Sequence, residues 1–326
     1  MPRLFIRPDA IRHNLSVIDA LCRHAGRSFM FVLKESPLLP ELLTEILPGT
    51  PVRKLGLIVW PHNALPQFSN VELHHLYAAF PHTAAAAAAC RTVYLSSRWS
   101  MDLLAEAIAG NPPSLRLVLE VGDLRDGAMA EELPDLCRYA HAKGFSICGL
   151  SVNYGCITEF GPSVPSLQYA AETLENIRTW CRPEADVSAG GTDILPLVMS
   201  GELPDAVREI RCGTGVMLGT YPLMEDNIPG CRQDTFRLEA DVLECRMKQG
   251  RQYALLDVGK FHTDLNTVEC TVPGMKLAGV SSAYSVFDVT DCPERIHEGR
   301  TLHFRFTFKS LAPALLSRAL TVIKED

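Results

Sequence analysis

The chain has 326 residues, 47% hydrophobic and 21% charged, with a formal net charge of -7. That composition supplies the core of one large domain, or of one large and one small, and an acidic chain with no dense Lys/Arg block offers no nucleic-acid surface. The opening MPRLFIRPDA lacks the apolar core of a signal peptide, no stretch reaches membrane-spanning length, and 11 scattered cysteines without a CxxC pair fit reduced thiols in a cytoplasm.

Residues 4–7 read as a short strand, and Pro8-Asp9 opens an amphipathic helix with Ile11, Leu15, Ile18 and Leu21 at helical spacing. Apolar strand-like runs follow at 29–34, 53–59, 73–79, 92–95, 115–121, 146–151, 185–189 and 209–211. Helical or loop stretches separate them, at 37–47, 61–68, 84–89, 101–109, 129–143, 166–181 and 193–199. Eight strand–helix units in succession, over about 220 residues, are what a (β/α)8 barrel requires. The alanine run at 84–89 is a strong helix former that can pack closely on such a barrel. Past Tyr221-Pro222 the pattern changes to strand-like alternation at 236–245, 252–258, 276–281, 285–289 and 301–308, with a helical pattern at 315–323. The expected fold is therefore α/β: a (β/α)8 TIM barrel over 1–232, then a mostly antiparallel β domain over 233–326.

Lys34 closes the apolar run FMFVL. A lysine at the carboxyl end of an early barrel strand is poorly placed for solubility and well placed for a Schiff base, since burial lowers an amine's pKa and makes it nucleophilic. The plainer alternative is a solvated ammonium. In barrels, phosphate commonly sits between the loops after strands seven and eight. Here those loops are Ser188-Ala189-Gly190-Gly191-Thr192 and Arg211-Cys212-Gly213-Thr214-Gly215, with Thr192 able to cap the next helix and offer a hydroxyl. Arg211 ends strand eight and carries a guanidinium that keeps its proton. Beside a pyridine nitrogen it would donate a hydrogen bond and leave that nitrogen unprotonated; otherwise it forms an ion pair on the barrel rim.

Together with Lys34, the segments VGDLRDGA (121–128), GLSVNYGC (149–156), SAGGTDILPLVMSGELP (188–204), RCGTGVMLG (211–219) and LAGVSSAYSVFDVTD (277–291) resemble the alanine/ornithine racemase-like enzymes of the fold-type III pyridoxal-phosphate class. The resemblance spans most of the chain. It implies a pyridoxal 5'-phosphate cofactor, an amino-acid substrate, and a homodimer in which each active site is completed by the partner. Carried over by position, Lys34 is the Schiff-base lysine and one of two catalytic bases, and Arg211 meets the pyridine nitrogen. Thr192, Gly213 and Thr214 hold the phosphate, Asn153 lies beside the cofactor ring, and Arg125 holds the substrate carboxylate. The implied reaction is racemisation, with the α-proton removed from an external aldimine and returned on the other face.

The chain departs from the family where the second face is built. Glu35-Ser36-Pro37 follows the lysine, and the gap at Met247-Lys248-Gln249-Gly250-Arg251 is short. Ser281-Ser282-Ala283-Tyr284 replaces an SSDH-like motif, and Ala312-Pro313-Ala314 stands where relatives often carry a tyrosine. Tyr284 is the candidate for the opposite base, with Tyr253 and His262 as further possibilities. If none serves, the alternatives are a lyase, a one-sided α-proton exchanger, or a cofactor-binding relative that has lost racemase activity. Residues 233–326 argue against a single-barrel cofactor carrier, which lacks a β domain, while a lapsed enzyme that still binds cofactor stays open. A metal-dependent hydrolase fits poorly, because adjacent His74 and His75 on one strand face opposite sides, and His62 and His82 show no ligand spacing.

Overall fold

The computed structural model describes residues 1–33, 38–58, 68, 70–77, 79–224 and 226–325. Lys34, the Glu35-Ser36-Pro37 turn, His62 and nearly all of the helical piece expected at 61–68 lie outside the described residues.

The chain opens with β1 (Arg3–Ile6) and α1 (Pro8–His24). Pro8 suits the first turn of α1, where its missing N–H costs nothing, and Ile11, Leu15, Ile18 and Cys22 form the buried stripe. The barrel follows as β2 (Ser28–Leu33), α2 (Leu39–Ile46), β3 (Lys54–Leu57), β4 (Glu72–His75), α3 (Ala84–Ala88), β5 (Thr92–Leu95), α4 (Arg98–Ala107) and β6 (Ser114–Val118). It continues as α5 (Leu133–Ala142), β7 (Ile147–Asn153), α6 (Val164–Asn176), β8 (Cys181–Gly190), α7 (Leu195–Ser200), β9 (Val207–Cys212) and α8 (Thr214–Leu218). Strands β2 to β9 pair in parallel and close on themselves, β9 against β2. All eight strand runs expected from the sequence are these eight strands.

Side-chain alternation explains the layering. Along β2, Phe29, Phe31 and Leu33 join the main core that includes the helices. Met30 instead packs with Leu76, Tyr94 and Val118, and Val32 lies against that inner group. The large outer core buries apolar area at roughly 25 cal/mol per Å2 and holds the scaffold together. The inner layer is mixed, because polar side chains from several strands share it with this small apolar group.

After the barrel come β10 (Phe236–Lys248), β11 (Arg251–Leu256), β12 (Glu269–Cys270), β13 (Lys276–Val280), β14 (Ser285–Asp288), β15 (Thr301–Arg305), α9 (Phe308–Leu316) and β16 (Thr321–Lys324). They form a mostly antiparallel sheet in the order β12-β15-β10-β11-β14-β13. Strand β1 joins this sheet, antiparallel to β10 and parallel to β16. A cut after residue 232 therefore divides the chain without separating the two sheets.

The expected helix at 315–323 is corrected. The helix begins earlier, where Thr307 and Ser310 cap its first turn reciprocally, and it ends at Leu316. Beyond it, Thr321-Val322-Ile323 is a β-branched run that the neighbouring β1 draws into a strand. Among the described residues, no helix is long and apolar enough to cross a membrane.

Candidate active site

Three adjacent strands end side by side. The register sets Asn153 of β7 opposite Gly190 of β8, and Gly190 opposite Arg211 of β9. Side chains at one level of a parallel barrel share a face, so Asn153 and Arg211 flank a glycine that leaves the space between them open. Arg211 Nη2 donates to Asn153 Oδ1 at 2.7 Å and to the Val152 carbonyl at 2.8 Å. Its Nη1 donates to the Ser188 carbonyl at 2.7 Å and to Ser188 Oγ at 2.6 Å. A Cβ at Gly190 would run into Arg211 Nη2 and Asn153 Oδ1. Arg211 is 3% exposed. Burial lowers its pKa, opposed by Tyr94 and Glu209.

Beneath this row lies a charged layer for which sequence reasoning singled out no residue. Glu209, two positions before Arg211 on the same face of β9, is buried and receives Lys54 Nζ at 2.6 Å, Tyr94 Oη at 2.7 Å and Ser188 Oγ at 2.6 Å. Burial disfavours its charge, but Arg116, Lys54 and His74 outweigh that and hold its carboxyl well below the usual range. Arg116 donates to Asp186 Oδ1 at 2.5 Å. Both guanidinium groups lie over the Tyr94 ring, Arg211 Cζ at 5.3 Å and Arg116 Cζ at 5.7 Å from its centre. The available signal was a pair of opposite charges at i and i+2 in one strand. His74 and His75 are both buried; His74 feels Glu209, Lys54 and Arg116, and burial pushes it down to about 4.

Arg125 reaches the same row from the loop after β6. Its Nε donates to Asp126 Oδ1 at 2.8 Å, and Asn153 Nδ2 approaches the same oxygen at 3.4 Å. Burial opposes the Arg125 charge, but Cys156, Asp126 and Asp123 leave its pKa raised. Asp123 Oδ1 accepts from the N–H groups of Cys156 and Ile157 and so ties this loop to the one after β7.

Thr192 departs from expectation in its local role. It is 3% exposed and does not cap its own helix. Its Oγ1 instead accepts from Gly215 N at 3.0 Å and lies 3.2 Å from Cys212 Sγ, joining the loops after β8 and β9. The turn from Gly191 makes Thr192 the first residue of a tight 3-10 turn, so its hydroxyl faces the neighbouring loop. Gly213 precedes α8 and Thr214 starts it, where backbone N–H groups lack intrahelical acceptors. Tyr284 lies elsewhere: it is half exposed in the turn between β13 and β14, where its N–H bonds Ser281 Oγ. Among the described residues, no hydrogen bond joins its side chain to Asn153, Arg211 or Arg125. His262 is buried near the same turn and accepts from Gly259 N, and Tyr253 sits within β11.

No protein-family model matches the chain. It is 24% identical over 229 residues to ornithine racemase from Acetoanaerobium sticklandii, covering 63% of this chain and 65% of that one. It is 25% identical over 223 residues to lysine racemase from Thermotoga maritima, covering 61% and 62%. The chain thus matches just under two thirds of the length of these relatives. The solved alanine racemase from Bartonella henselae, which has covalently bound pyridoxal phosphate, matches with a TM-score of 0.71 at 15% identity, covering 99% of each chain. At that identity the likeness shows the fold. In sequence the chain is similar to these two racemases, and in fold to alanine racemase.

The Bartonella henselae enzyme holds covalently bound pyridoxal phosphate, and the residues present here fit such a group. Arg211 is a permanent donor fixed by four oxygens. The backbone beside it is open only because it is glycine: a Cβ at Gly213 would sit 2.7 Å from the Val32 carbonyl, and one at Gly215 would sit 2.7 Å from Thr192 Cγ2. Such a loop lets main-chain N–H groups approach an anion.

Proposed function

We propose that this protein is a pyridoxal-phosphate-dependent amino-acid racemase. The observation that carries the reading is the buried Arg211, aligned with Asn153 across Gly190 at the strand ends. When bound, pyridoxal phosphate stabilises negative charge at a substrate's α-carbon. The protein's part is to anchor, orient and move protons.

In this reading Lys34 anchors the cofactor, and its Nζ takes or returns the α-proton on one face. In the sequence it comes directly after β2. Arg211 would donate to the ring nitrogen while keeping its own proton, so that nitrogen would stay unprotonated. Asn153 would lie beside the ring. Gly213 and Thr214 offer N–H groups to the phosphate, and Thr192 fixes their loop and lends its hydroxyl. Arg125, oriented by Asp126, takes the substrate carboxylate.

Tyr284 serves the opposite face from a second copy, so the working form is a homodimer. The half-exposed position of Tyr284 supports a role outside its own subunit. The names of the two curated relatives support an amino acid with a side-chain amine, and 11 scattered cysteines without a CxxC pair support a cytoplasmic setting.

The test is an absorption spectrum of the purified protein with pyridoxal phosphate, beside Lys34→Ala, before and after borohydride. A visible band that reduction fixes on Lys34 supports the cofactor reading. Solvent deuterium exchange and optical rotation with ornithine and lysine then separate racemisation from one-sided exchange. Absence of a band in the wild type, or an identical one in the variant, overturns it.

A further inference from the structure

We infer that Glu209 is a positioning residue for Arg211, acting from beneath through Ser188 and Tyr94; its importance for catalysis rests on the cofactor reading above. Arg211 is a buried cation whose four hydrogen bonds all go to neutral oxygens, those of Ser188, Val152 and Asn153. Among the described residues no carboxylate forms an ion pair with it. A buried charge needs compensation, and here the compensation arrives at one remove.

Hydroxyl bookkeeping shows how. Ser188 has one proton, and it goes to Glu209 Oε1 at 2.6 Å. Its oxygen is therefore left as an acceptor, aimed at Arg211 Nη1 at 2.6 Å. Tyr94 likewise gives its proton to Glu209 Oε1, which fixes the ring whose face lies 5.3 Å from the Arg211 carbon. One carboxylate oxygen thus sets both the acceptor and the platform that hold the guanidinium. The other oxygen is secured by Lys54 at 2.6 Å. With Glu209 neutral, Ser188 is free to turn its proton toward Arg211. The layer would then keep the cations Lys54, Arg116 and Arg211 against Asp186 alone, and Arg211 would move toward the mouth.

Glu209→Gln keeps the shape and removes the charge. Crystal structures of cofactor-free wild type and variant should show Arg211 losing its contact with Ser188 Oγ; an unmoved Arg211 overturns the inference. For the cofactor, we expect at least tenfold weaker binding of pyridoxal phosphate and a displaced visible band, as in Arg211→Lys. The double variant should be little worse than either single change, because both act on one group. Additive losses in that cycle also overturn the inference. If Glu209→Gln does not fold, Tyr94→Phe and Ser188→Ala each remove one arm and should shift the band in the same direction, and an unshifted band in both counts against the relay. Should the wild type bind no pyridoxal phosphate, the cofactor reading falls, while the position of Arg211 still decides the role of Glu209.

Discussion

Gly190 lies between Asn153 and Arg211, and its missing side chain lets their ends touch. Gly190→Ala should force them apart, weakening pyridoxal phosphate binding at least tenfold and costing about 1–3 kcal/mol of stability through overpacking. Cofactor titration and urea melts would measure both, and unchanged affinity would count against the site. His74 gives a different prediction. Its folded pKa, about 4, lies below the ordinary 6.5, so the unfolded chain binds the extra proton first. The stabilisation from keeping His74 neutral is complete above pH 6.5 and is lost as pH falls toward 4, by at most about 3 kcal/mol. His74→Gln should flatten the fall in melting temperature over that window; a parallel fall in both proteins would refute the assignment. At this scale, Arg211 and the glycines near it were legible in the sequence because a charge at a strand end and a glycine run are local signals. Glu209 and Tyr94 were not, since their bond joins residues 115 positions apart.

Among the elements, barrel strands were readable because most are short apolar runs bounded by helical or loop sequence, although β4 and β9 carry charged or imidazole side chains. The C-terminal segment suggests a helix because Leu316, Leu320 and Ile323 keep the i, i+4, i+7 spacing of one, while the capping pair Thr307–Ser310 starts the turn sooner. What makes 321–324 a strand is β1, which no local pattern announces. Leu4, fully buried in β1 and paired across to Leu238 and Val322, ties these pieces together. Leu4→Ala should cost about 2–5 kcal/mol, read from denaturant unfolding. Proteolysis should then open the chain near 317–320 first. Protection there equal to the wild type would show that β16 holds without β1.

For the whole molecule, the proposed sharing of residues between copies has a direct test. Lys34→Ala and Tyr284→Phe should each abolish racemisation alone, and mixing them after subunit exchange should restore about a quarter of wild-type activity. Half the dimers would then be mixed, and each mixed dimer would hold one site with both defects and one with none. No recovery, with exchange verified by mass, would place both groups in one subunit or leave Tyr284 idle. The pairing of β1 with β10 and β16 has another consequence, for synthesis on the ribosome. Strand β1 emerges before the barrel and waits for residues 236–239 before it meets one neighbour, and for 321–324 before it meets the other. The barrel can close while that strand still hangs unpaired, and the long sequence separation makes its docking a late, slow step. During that interval its apolar residues Leu4 and Ile6 are the part of the nascent chain that a chaperone has most reason to cover.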